Sequence, residues 1–231
     1  MYLSRVLLNP SRRGTGKFLS SPQAMHAVVL ASCGPDAGEA GAEGRVLWRV
    51  DRPEKHRIEL YVVSPDRPDF TGLIEQAGWP TRATWDTADY EPFLQRLAAG
   101  QIWRFRVTAN PVRSVSAGEG KRGKVTPHIT RRFQEEWFLS RCKRWGFEIP
   151  ERGDGPDGAP VRPLELSGTG VTGFGRSDPT SGRRGQVSLT RVTYRGDLTV
   201  AEPDALRHSL TFGIGRAKAY GCGLLTLAPN S

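Results

Sequence analysis

One order of elements, met twice along 231 residues, constrains this chain more than any other feature. Met1–Leu8 (MYLSRVLL) is apolar and reads as a strand. Asn9–Ser20 reads as a basic, glycine-containing loop. Ser21-Pro22 supplies an N-cap followed by proline at the first helical position, so a helix is predicted to about Ser32, where Gly34-Pro35 stops it. Val46–Val50 and Arg57–Val63 read as strands joined by a turn around Asp51-Arg52-Pro53. A short helix over Asp69–Gln76 and a strand over Arg82–Trp85 complete the first pass. The second pass starts with Gln101–Ala109, which alternates as a strand does, and a glycine-rich basic loop over Arg113–Lys124. A helix over Thr130–Trp145 is ended by Gly146. Leu164–Arg176 and Gln186–Val200 read as a long hairpin with its tip over Ser177–Gly185. Glu202–Leu210 reads as a helix, Gly213–Gly223 as a glycine-rich loop and Cys222–Leu227 as the closing strand. Each pass is β-α-β-β-α-β, the split βαβ unit of ferredoxin-like folds.

The expected fold class is α+β, with two tandem ferredoxin-like domains. The first spans 1–90 and carries the helix with His26. A linker follows over 91–100, then a basic second domain over 101–231 with the arginine hairpin and the glycine-rich loop. No sequence repeat accompanies the repeated pattern. RNA-recognition motifs share this topology, but the topology hosts many functions and does not choose among them.

Charge narrows the choice. Residues 1–100 hold 12 basic and 12 acidic side chains, whereas residues 101–231 hold 21 and 12, so the formal charge of +9 belongs to the second half. A basic surface recruits phosphates and releases their counterions. Arginine, which supplies 27 of the 33 cations, forks onto phosphates and guanine edges. The longest uninterrupted apolar run near the start, Ala27–Ala31, is far short of the roughly 20 residues that span a bilayer. The first residues lack the pattern of a secretion signal. Three cysteines, at 33, 142 and 222, give neither a disulfide framework nor a zinc-finger spacing, and they fit a reducing cytoplasm.

Three constellations carry possible chemistry. His26 lies early on a helix, just after a basic loop, and an imidazole exchanges protons near neutral pH. A lone helix histidine more often packs or solvates than reacts. His56, His128 and His208 stand far from it and from one another, so no metal site is expected. The second constellation, Gly213–Gly223, matches neither a Walker loop nor a dinucleotide fingerprint. Its four glycines, Gly213, Gly215, Gly221 and Gly223, still let a backbone approach a phosphodiester, and Arg216 and Lys218 add charge. The third is the hairpin tip with Arg176, Arg183 and Arg184, which suits a groove of folded nucleic acid, although a mobile charged turn is the commoner case.

Four stretches resemble one family. They are Met1-Tyr-Leu-Ser4 with Asn9-Pro10; Ser21-Pro-Gln-Ala-Met-His26; Arg106-Val-Thr-Ala-Asn-Pro111 followed by Gly120-Lys-Arg122; and Gly213-Ile-Gly-Arg-Ala-Lys218 through Pro229. Together they resemble the CRISPR RNA-processing endoribonuclease of the type I-E Cascade complex, the CasE family. The resemblance implies two ferredoxin-like domains, in agreement with the pattern above. It implies cutting of CRISPR repeat RNA at the base of its stem-loop without a metal or other cofactor. The ribose 2′-hydroxyl would attack the adjacent phosphorus, leaving a 2′,3′-cyclic phosphate and a 5′-hydroxyl. His26 would act as general acid or base, the glycine-rich loop would brace it, and the arginine hairpin would enter the major groove of the stem. The product would stay bound within Cascade, among its other subunits.

This sequence departs from the family at one place. The family tyrosine three residues before the histidine is Gln23 here. Gln23 shares a helix face with His26, yet an amide cannot carry a proton as a phenol does. Lys17, Lys218 or a water then stand as candidate bases. A non-catalytic repeat-binding subunit is the alternative. Arg12, Arg13, Lys121, Arg122, Arg216 and Lys218 are the expected phosphate contacts, with Arg176, Arg183 and Arg184 on the stem.

Overall fold

The computed structural model of the chain describes all residues except 36, 82–83, 116–123, 154–160, 178–183 and 231. In chain order its elements are β1 (Tyr2–Leu8), α1 (Arg13–Ser20), α2 (Pro22–Ser32), β2 (Leu47–Glu54), β3 (Arg57–Ser64), α3 (Thr71–Ala77), β4 (Asp86–Asp89), α4 (Glu91–Gln95), β5 (Ile102–Ala109), β6 (Val112–Val115), β7 (Lys124–Pro127), α5 (Arg131–Cys142), β8 (Phe147–Glu148), β9 (Leu164–Ser177), β10 (Arg184–Val200), α6 (Pro203–Phe212) and β11 (Leu225–Pro229). Single 3₁₀ turns cover Lys143–Trp145 and Lys218–Tyr220. The chain forms two compact units, Met1–Leu97 with Arg207–Leu224, and Ala98–Leu206 with Leu225–Ser231.

In the first unit the sheet runs β2-β3-β1-β4, every pair antiparallel, which is the ferredoxin-like order. Alternate residues of β1 turn inward, burying Ser4, Val6 and Leu8. Helices α1, α2 and α3 complete the core with Phe18, Met25, Val29, Leu73 and Ile74. The stretch 9–20, expected to be a loop, is helical from Arg13. Gly14 marks close packing: a Cβ there would stand 2.2 Å from the Gln76 carbonyl oxygen, a distance no side chain tolerates. Thr15 Oγ1 donates to the Ala77 carbonyl at 3.1 Å, and Phe18 is buried. Packing against α3 thus overrides the poor helix propensity of two glycines.

The expected turn at Asp51-Arg52-Pro53 lies within β2, where the register shifts between Asp51 and Glu54, and the chain reverses at Lys55-His56. Proline is tolerated there because β2 is an edge strand. The last strand of the unit is β4, four residues beyond the expected start. The stretch 91–100, expected as a linker, begins with α4, whose neighbours Tyr90 and Leu97 are buried along with Leu94. The glycine-rich segment, expected in the second domain, belongs to this first compact unit.

In the second unit the main sheet runs β11-β5-β10-β8, the same order, and β9 pairs along β10 as a long hairpin. The second strand of the motif is therefore split. Phe147 and Glu148 (β8) pair with Val200 and Thr199, while β9 starts opposite Gly196. The expected loop over 113–124 is flanked by a ribbon of β6 and β7. The core here is aromatic: Phe138 stacks on Tyr194 with ring centroids 4.3 Å apart and on Phe105 at 5.7 Å, and Tyr194 donates its hydroxyl to the Gln134 carbonyl. None of the three cysteines is in a disulfide and all are buried, and burial pushes the Cys33 and Cys142 thiols up to about 12. No helix among the described residues is long and apolar enough to cross a membrane.

Candidate active site

The site is assembled within the first unit from α2, the start of β2 and the glycine-rich segment. Ser21 caps α2 by accepting from the Ala24 N–H at 3.2 Å, and Pro22 occupies the first turn. This fixes the phase of the helix. Pro22, Met25 and Val29 face the core, and His26 falls half-buried at its margin. Trp48 of β2 is 3 % exposed and donates its indole N–H to His26 Nδ1 at 3.3 Å. Burial first, and the Arg45 guanidinium second, hold the His26 imidazole below the ordinary histidine range. The Lys218 ammonium is lowered by the same two causes in the same order. Arg45 thus acts on both groups, and its Nε is buried with no hydrogen-bond partner among the described residues. A buried donor left unmet is costly unless an acceptor arrives.

The glycine-rich segment packs on the same strand. A Cβ on Gly221 would lie 2.6 Å from Trp48 Cζ3, and Gly221 has φ +77°, so the position is closed to any side chain twice over. Ala217, just before Lys218, is left-handed at φ +64°, a conformation that costs a non-glycine residue of order 1 kcal/mol. The segment is tied to the strand by a buried pair: Arg49 bonds Asp51 through two nitrogens at 2.8 Å and donates to the Leu224 carbonyl at 2.9 Å.

Of the residues singled out from sequence, this geometry brings His26 and Lys218 under one cation, Arg45. Gln23 is exposed, one turn before His26. Lys17 is exposed on α1, its ammonium 5.9 Å from the Phe18 ring centre. Arg13, Gly215 and Arg216 are exposed, while Arg12 reaches the Gly78 carbonyl at 3.4 Å. Gly221 and Gly223 are buried, and Gly213 lies against Leu47, so these three serve the packing of the segment. Lys121, Arg122 and Arg183 lie outside the described residues. Arg176 and Arg184 pair as backbone neighbours of Gly185 and Ser177 on the hairpin, with side chains outside the described set. Sequence reasoning missed Arg45 and Trp48. Arg45 is one arginine among 27, and Trp48 reads as an ordinary inward strand residue; only the fold sets both beside the helix histidine. Among the described residues no group of three or more His, Cys, Asp or Glu is placed to hold a metal ion.

Comparison with known proteins bears on this arrangement. The model of a family described as CRISPR associated protein matches residues 1–229. The CRISPR-associated endoribonuclease Cse3 of Thermus thermophilus is 30% identical over 230 residues, covering 99% of this chain and 100% of its own. This chain belongs to the CRISPR-associated Cse3/CasE family. The Cascade subunit CasE of Escherichia coli is 30% identical over 198 residues, 79% of this chain and 88% of that protein. Among solved structures, a CRISPR endoribonuclease Cse3 bound to a 19-nucleotide RNA superposes with a TM-score of 0.76 at 26% identity, covering 99% of this chain and all of the other. Family membership thus agrees with the two-unit ferredoxin-like fold.

Proposed function

We propose that this protein is an endoribonuclease that cuts CRISPR repeat RNA at the base of its stem-loop and keeps the product as a Cascade subunit in the cytoplasm. The observation that carries this reading is the half-buried His26, held by Trp48 and flanked by Arg45, whose buried Nε lacks an acceptor. A phosphodiester oxygen satisfies that donor and is balanced by Arg45 and Lys218. The Cse3 and CasE relatives supply the substrate class. In the reaction the ribose 2′-oxygen bonds to phosphorus as the bond to the 5′-oxygen breaks, giving a 2′,3′-cyclic phosphate and a 5′-hydroxyl. His26 gives a proton to the leaving 5′-oxygen, a water takes the proton of the 2′-hydroxyl, and Arg45 and Lys218 stabilise the charge that builds on the phosphate. The reaction uses no metal and no cofactor. Arg12, Arg13 and Arg216 meet phosphates, and the hairpin bearing Arg176, Arg183 and Arg184, with the basic segment of Lys121 and Arg122, grips the stem. The hairpin meets the A-form major groove where the stem ends, since that groove is too narrow for side-chain readout along its length.

Incubation of the pure protein with labelled repeat RNA tests the reading. A single cut is expected, persisting in EDTA and abolished when the 2′-hydroxyl before the cut is replaced by hydrogen. Dependence on added magnesium moves the reaction to another class. Gln23, in place of a phenol, favours one second reading, a repeat-binding subunit that does not cut. That reading predicts tight, salt-sensitive binding of the repeat and no product.

A further inference from the structure

The hydrogen bond between Trp48 and His26 has a direction that chemistry fixes. An indole N–H only donates, so His26 Nδ1 must accept, and an accepting Nδ1 carries no proton. The neutral ring therefore holds its single proton on Nε2. An imidazolium has a proton on both nitrogens, and would set an N–H against the indole N–H. We infer that Trp48 is a positioning residue that locks free His26 as the neutral Nε2–H tautomer, so that the ring becomes charged only by giving up the indole contact when the scissile phosphate arrives.

The surroundings agree with an uncharged resting ring. The elements packed on α2 bring Arg13 and Lys17 from α1, Glu75 from α3, Lys218 and Tyr220 from the glycine-rich segment and Arg45 from the approach to β2. Of these, Arg45 is the group whose charge acts on the ring, and its sign opposes a second positive charge. Trp48 is itself held in place: Gly221 lies against its six-membered ring, and the main chain of β2 pairs it with Val62. Release of the ring is thus a movement of His26 rather than of the indole. A phosphate oxygen at Arg45 and Lys218 supplies the negative charge that favours protonation of Nδ1. The proton at Nε2 stays on the ring during this change, ready for the leaving 5′-oxygen.

This inference rests on the proposed cleavage for its role, yet part of its test does not involve RNA. In the 15N-labelled free protein, the His26 signals, identified by their loss in His26→Ala, should show an unprotonated Nδ1 and a protonated Nε2. A protonated Nδ1 in the neutral ring overturns the inference. The variant Trp48→Phe keeps an aromatic ring and removes the donor. It should let His26 populate both tautomers and raise its titration midpoint by about half a pH unit or more. In single-turnover cleavage of repeat RNA, the limb of the pH profile that reports His26 should move up by the same amount. A variant that folds and titrates as the wild type does, with an unmoved limb, overturns the inference. If the wild type shows the expected tautomer but never cuts repeat RNA, the lock stands and the endoribonuclease reading falls.

Discussion

The two units share one topology and put it to different uses. In the first, the residues with chemistry are drawn inward: His26 against Trp48, the Arg45 Nε buried, and the Arg49–Asp51 pair sealed beneath the glycine-rich segment. In the second, the interior is a stack of aromatic rings, and described cations such as Arg113, Arg131, Arg132 and Arg144 lie in solvent. Counted by unit, 15 basic and 12 acidic side chains belong to the first, leaving 18 and 12 for the second. The charge imbalance between sequence halves thus narrows once Arg207, Arg216 and Lys218 are counted with the first unit. What separates these groups is burial. A buried charge is tuned by its neighbours, whereas an exposed one acts by number and is screened by salt.

Substitutions in each unit can break that contrast. His26→Ala should have the largest effect, lowering single-turnover cleavage by about 100-fold to 10,000-fold while leaving repeat binding intact. Cleavage at the wild-type rate would remove His26 from the mechanism. Next comes Asp51→Ala, which removes the carboxylate that the buried Arg49 guanidinium holds through two nitrogens. It should destabilise the first unit by about 3–5 kcal/mol in urea denaturation. A loss below about 1 kcal/mol would mean that the pair is not sealed from water. Gly221→Ala forces a methyl group toward the Trp48 ring at an unfavourable φ, at a cost of about 1–3 kcal/mol. It should slow cleavage as well, because Trp48 positions His26. Unchanged cleavage would uncouple the segment from the site.

Smaller effects sharpen the contrast. Arg176→Ala and Arg184→Ala on the hairpin should each weaken repeat binding and lower the salt slope by about one, with no change in the rate of the bound complex. A slower chemical step at saturating protein would place the hairpin in the reaction. The smallest effect is that of pH on folding. The His26 imidazole is held below the value of about 6.5 that it has in an unfolded chain, so the unfolded state takes up its proton first as pH falls. Stability should therefore decline as pH drops through about 6.5 and level off below the folded-state value. His26→Asn should flatten that part of the Tm profile, leaving the contribution of His128, which is lowered in the same direction.

Much of this was legible along the chain because it depends on local pattern. The Ser21-Pro22 start of α2, the left-handed Gly146 after the 3₁₀ turn that ends the α5 segment and the hairpin of β9 and β10 all stand where residue type and alternation place them. The failures share one cause. Gly14 reads as a loop residue because its partner, the Gln76 backbone, is more than 60 positions away. The second strand of the second unit reads as one piece because nothing local shows that β10 pairs first with β9 and then, at its end, with β8. Arg45 and Trp48 are silent for the same reason, since their meaning lies in what faces them.

Sequence by itself determined the βαββαβ order, the basic character of the chain and the helix that carries His26, because periodicity, capping and charge are properties of neighbours in the chain. Only the tertiary structure decided which nitrogen of His26 holds a proton, that burial and then Arg45 hold its imidazole below the ordinary range, and that the glycine-rich segment packs on Trp48. Tautomer, desolvation and steric fit depend on distances of a few ångströms between residues far apart in sequence, and those distances exist only after folding.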